Sequence, residues 1–117
     1  MRKVTEDIAR AFVNGQKKTV SNTSTDGVSV WLHGHEIIRK DGEDVRVSLC
    51  GWGTPTTRER LNGILSFAGY DVRFFQQDHE QFVKSGRGLL PVHVDEYDLI
   101  KIKSNGQIGQ MYKDWHR

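Results

Sequence analysis

The chain has a single cysteine, Cys50, among 117 residues, so no internal disulfide can form and a reducing compartment is the expected setting. It has only two prolines, Pro55 and Pro91, against twelve glycines. That ratio suits several short strands joined by tight turns and argues against extended proline-rich segments. No apolar stretch approaches the roughly 20 residues that a membrane helix needs. The charged start Met-Arg-Lys-Val-Thr-Glu-Asp has no apolar run behind it and does not read as a signal peptide. A strong charge imbalance is missing as well. Seventeen basic and fifteen acidic residues leave a formal charge of +2, which permits nucleic acid as a partner without demanding it.

What is present reads as one domain over residues 1–117, a length sufficient for one hydrophobic core. Val4, Ile8, Ala11 and Phe12 recur at helical spacing. Thr5 is the expected N-cap of that helix and Asn14-Gly15 its stop. After Lys17 the period falls to two. A Thr/Ser-rich strand or loop, Thr19 to Ser24, leads to the turn Asp26-Gly27. Val28, Val30 and Leu32 then alternate with Ser29 and Trp31, and Val45, Val47 and Leu49 with Arg46 and Ser48.

Thr56-Thr57-Arg58-Glu59 fits a capping box, followed by Leu61, Ile64, Leu65 and Ala68 at helical spacing and by Gly69 as a stop. Beyond it, Tyr70 to Phe75 alternates as a strand. Phe82-Val83 suits a short helical turn, and Pro91 puts Leu89 to Val94 at a sheet edge. Asn105-Gly106 joins two further strands as a hairpin. The order predicts an α+β fold, an antiparallel meander with two helices packed on it.

Chemistry is harder to find. His33 and His35, two apart on a strand, would share one face and make a weak metal pair. Further ligands would have to come from His79, His93, Asp95 or Cys50, none of which forms a second compact pair. Cys50 ends an apolar strand, where a small buried residue is the ordinary expectation. No nucleophile-elbow pattern occurs, the carboxylates are scattered, and no cofactor is implied.

Gly51 to Thr57 leads into a helix start, which favours anions, but it lacks the Gly-Lys-Ser/Thr ending of a P-loop. Ser85-Gly86-Arg87-Gly88 could grip a phosphate; together with His33 and His35 it is the only support for a small metal- or nucleotide-dependent enzyme. Arg58, Arg60, Lys101 and Lys103, with Trp52 nearby in sequence, are the candidate nucleic-acid contacts. Trp31, Tyr112 and Trp115 are the candidate aromatic contacts for a protein partner. An unpaired sheet edge would also allow self-association.

Residues Asn22-Thr23, Leu32-His33-Gly34, Ile37-Ile38, Ser48, Gly51-Trp52, Thr54 and Thr56-Thr57-x-Glu59-Arg60-Leu61-Asn62 together resemble small uncharacterised proteins of tailed bacteriophages. The resemblance covers the first half to two-thirds of the chain, and the region from Gln76 departs from the short ending expected of such proteins. It implies an accessory product acting in the cytoplasm of an infected bacterium, and it carries over no catalytic or binding residue. Joined to the missing catalytic signature, it makes a host protein the expected partner.

Overall fold

The computed structural model describes residues 2–86, 88–92 and 99–112. The first helix, α1 (Lys3–Val13), buries Ile8, Ala9, Ala11 and Phe12. Asn14 closes it and Gly15 follows at φ +67°. The Gly15 N–H bonds to the Phe12 carbonyl and the Gln16 N–H to the Ala11 carbonyl, the paired bonds of a Schellman stop. Thr5 is not the cap. The N-cap is Arg2, one turn earlier in effect, and Thr5 sits inside the helix, fully buried.

Seven antiparallel strands form the main sheet. Thr19 to Ser24 is two strands, β1 (Lys18–Val20) and β2 (Thr23–Thr25), folded back at Ser21, which takes φ +55°. Next come β3 (Ser29–Leu32), β4 (His35–Asp41) and β5 (Asp44–Val47). Val30 and Leu32 are buried as the alternation predicts, whereas Val28 lies before the strand and is exposed. A bulge lets Trp31 pair with Glu36 while Val30 pairs with Ile38. The extra residue breaks the alternation, so Ile37 and Ile38 are both buried although they are consecutive.

The second helix, α2 (Pro55–Phe67), has its cap two residues earlier than the expected box. Thr54 accepts the Thr57 N–H at 3.2 Å, and Pro55 occupies the first helical position, where its missing N–H costs nothing. Glu59, expected to reach back to the cap, turns instead toward α1. Ala68 caps α2, and the Gly69 and Tyr70 N–H groups bond to the Ser66 and Leu65 carbonyls, the same paired bonds that stop α1. Both helices pack together, α1 lying also on β1, β2 and β3 and α2 on the strand that follows it.

A second antiparallel sheet of three strands follows: β6 (Arg73–Gln77), β7 (Glu80–Ser85) and β8 (Gly88–Val92). The expected helical turn at Phe82-Val83 is instead the middle of β7. Asp78 and His79 both take positive φ, 52° and 66°, and form a two-residue hairpin turn matched to the strands' twist. Pro91 does lie on an edge strand.

The chain then re-enters the main sheet. β9 (Leu99–Ile102) pairs with β5, and β10 (Ile108–Tyr112) is the edge strand beyond it. Among the described residues the fold is therefore α+β and mostly sheet, as expected. One core joins Phe12 and Leu61 from the helices, Val47 and Ile100 from the main sheet, and Phe74 and Val83 from the small sheet.

Candidate functional site

Two groups of side chains stand out, one buried and polar, the other open and apolar. The buried group is centred on Arg60, which is only 3% exposed. The α2 register turns it inward between the helices. Its Nη1 donates to the Thr5 hydroxyl of α1 at 3.0 Å and to the neighbouring Glu59 carboxylate. Its Nε donates to the Thr23 hydroxyl of β2 at 2.9 Å, and its Nη2 reaches Asn22 at 3.4 Å. Thr5 donates its own proton to Glu59, and Thr23 donates to Asn22. The planar guanidinium fork is suited to holding several acceptors at once. These contacts form an internal brace between two helices and a strand.

The other group lines a cavity of about 430 Å³ beside the β3–β4 turn and the start of α2. Leu32, Ile37 and Leu49 supply apolar walls, with Cys50, Thr54 and Thr57 adding small groups. Trp52 lies 55% exposed at this cavity, its ring centroid 6.0 Å from that of His35. It stands in the loop before the capped helix without packing under it. The Cys50 thiol donates to the Glu36 carbonyl at 2.9 Å, and burial pushes it above its ordinary pKa. A thiol held protonated in this way is a poor nucleophile at neutral pH.

The expected site residues do not gather at one place. His33 and Gly34 are the two residues of the β3–β4 turn, at φ +51° and +81°, so the histidines do not lie two apart on a strand. Both rings are exposed and line the cavity, but among the described residues no three His, Cys, Asp or Glu side chains could hold a metal together. His93 and Asp95 lie outside the described residues.

Of the four candidate nucleic-acid contacts, Arg60 is inside the protein. Arg58 is tied to the Gly53 carbonyl and to Gln76 and Gln81 of the small sheet. Lys101 stands between Asp41 and Asp44, at 3.5 and 3.6 Å, and Lys103 is exposed beside the hairpin that follows. Arg58 and Arg60 thus knit elements together, and Lys101 has two carboxylates against it.

Trp31 is half-buried on β3 opposite Ser24 and Glu36. The Tyr112 backbone pairs with Leu99, while Trp115 lies outside the described residues. The Ser85 hydroxyl donates to the Gly106 carbonyl, and Arg87 lies outside the described residues. The cavity itself escaped the sequence reading, because Trp52 and Leu32 meet only when the meander closes. Its one local signal was a tryptophan between two glycines.

Most of the residues that carry the phage resemblance fall in these two features. Asn22, Thr23, Glu59 and Arg60 build the brace, and Leu32, His33, Ile37, Trp52, Thr54, Thr56 and Thr57 line the cavity. Comparison with protein families finds a match over residues 1–105 to the Kyanoviridae Gp96 protein family. The chain belongs to this family. The match corrects the extent expected above: it continues past Gln76, so the small sheet and β9 fall within the shared region of the Gp96 family. No curated protein and no solved structure matches the chain. The family supports a phage accessory protein, and no helix among the described residues is long and apolar enough to cross a membrane.

Proposed function

We propose that this Gp96-family chain is a non-enzymatic phage accessory protein that acts in the cytoplasm of the infected bacterium by binding a host protein. The cavity beside Trp52 is the contact site in this reading. The observation that carries it is the exposure of Trp52 against an apolar, preformed cavity. A large apolar ring left in water costs free energy that a partner recovers by covering it, and tryptophan is prominent among the residues that dominate protein interfaces. A protruding leucine- or phenylalanine-sized side chain fits a cavity of this size. His33 and His35 at the mouth offer polar contacts around it.

The internal commitments of Arg58 and Arg60, and the acidic partners of Lys101, weigh against a phosphate-binding surface at those residues. The exposed histidines, without converging ligands among the described residues, give little support to a metal-dependent reaction.

The test is affinity capture of the tagged chain from host lysate, with and without nuclease, read by mass spectrometry against Trp52→Ala. A nuclease-resistant partner lost in the variant is the expected result. Because Trp52 is more than half exposed, the variant should keep its fold by circular dichroism. The same partners recovered by both proteins would remove the cavity from the reading. Recovery that vanishes with nuclease would replace the host protein with nucleic acid.

A further inference from the structure

The three-stranded sheet buries one face and leaves the other in water. Inward go Phe74, Val83 and Val92. Outward, by the same alternation, go Phe75, Phe82 and Pro91, which the strand register places side by side in one row across the sheet. Phe75 and Phe82 stack with centroids 5.5 Å apart, and Leu89 beside them is 56% exposed. A shallow depression of about 390 Å³ lies among Phe75, Phe82, Leu89, Asp78 and Glu80.

The charges around this row have an order. On β7 the outward residues are Glu80, Phe82 and Lys84, two apart on one strand, so an acid and a base flank the phenylalanine symmetrically. Arg73 pairs with Lys84 at the basic end, whereas Asp78 joins Glu80 at the acidic end. Among the described residues, two positive and two negative side chains give this face no net field for a phosphate backbone.

They make it self-complementary instead. A two-fold axis along the Phe75–Phe82–Pro91 row reverses the direction along the strands. Lys84 then faces Glu80 of the partner subunit, and the apolar row covers itself. An isologous interface requires a patch that matches itself in this way.

We infer that the outer face of the small sheet binds a second copy of the chain, forming a two-fold symmetric dimer with the two sheets face to face. Three strands about 4.8 Å apart and five residues at about 3.4 Å each give a face roughly 14 by 17 Å. That is small beside the roughly 800 Å² per partner of a standard interface, so the dimer is a weak and reversible one. The surface shares no lining residue with the Trp52 cavity.

Sedimentation equilibrium of the full chain from about 5 to 500 µM tests the inference, with Lys84→Glu, Glu80→Lys and the double exchange alongside. Both positions are exposed, so folding should survive, as circular dichroism will check. The wild type should show a reversible monomer–dimer equilibrium. Each single variant sets like charges against each other and should weaken association about tenfold or more. The double exchange restores opposite charges across the axis and should return affinity to within about threefold of the wild type. A chain that stays monomeric at 500 µM overturns the inference. So does a dimer that ignores the single exchanges, or one that the double exchange fails to restore. A monomer that binds a single-stranded oligonucleotide through Phe75 and Phe82 would overturn it in favour of base stacking.

Discussion

Arg60 reaches into both helices and β2, and what it holds explains its cost if removed. Taking away one partner of a buried ion pair leaves the other desolvated and unpaired, typically a loss of about 3–5 kcal/mol. Glu59 keeps partial access to water, with a quarter of its side chain exposed, so the lower end of that range applies here. Arg60→Ala should therefore lower unfolding stability by about 3 kcal/mol in urea titrations. Arg60→Lys should recover only part, because an ammonium cannot reach Thr5, Thr23 and Asn22 from one position as the guanidinium fork does. A loss below about 1 kcal/mol for Arg60→Ala would mean that the brace is solvated in solution. In sequence this residue looked like one more surface cation. Only the packing of α1 on α2 turned it inward.

Among the elements, the turns show how local chemistry and space combine. Gly27 and Gly34 both sit at positive φ, 91° and 81°. Around Gly34 nothing lies within 4 Å of an added Cβ, whereas at Gly27 that atom would sit 2.5 Å from the Gly15 backbone. The stop of α1 is thus pressed against the β2–β3 turn, glycine on glycine. Gly34→Ala should cost about 1 kcal/mol, the conformational penalty alone. Gly27→Ala should cost about 3 kcal/mol or more, since overpacking against rigid backbone is added to it. Thermal melts of the two variants check this, and equal losses would mean that the close approach relaxes freely.

Most turns carrying Gly or Asn-Gly were legible from sequence. The β6–β7 turn was not, because Asp78 and His79 hold left-handed conformations that their identities merely tolerate. Without that turn the alternation of β7 has no visible start, and Phe82-Val83 suits a short helical turn equally well. The bulge at Ile37 hid in the same way, since two adjacent apolar residues fit either a strand or a helix.

Across the whole molecule, the main sheet is completed by a late strand. β9 pairs Ile100 with Val47 and Ile102 with Val45, and all four are at most 1% exposed. The three-stranded sheet intervenes between β5 and this return. A chain truncated before Leu99 should leave Val45 and Val47 without their covering strand. It should fail to fold cooperatively, seen as lost amide dispersion in the proton–nitrogen NMR spectrum. A truncated chain with native dispersion would show that the helices and the eight strands before Leu99 form a self-sufficient core.

Element types and ends were legible in the chain wherever local physics was decisive: the apolar periods of α1 and α2, the glycines that stop them, and the Asn105-Gly106 hairpin. The sequence also indicated an antiparallel meander and a phage relationship, because those rest on neighbouring residues. The tertiary structure decided the rest. Strand order depends on β9 returning across fifty residues, the fate of Arg60 on how the helices pack, and the Trp52 cavity on the meeting of separate loops. Hydrophobic pattern tells a side chain which face to bury, but not which distant surface it will meet there.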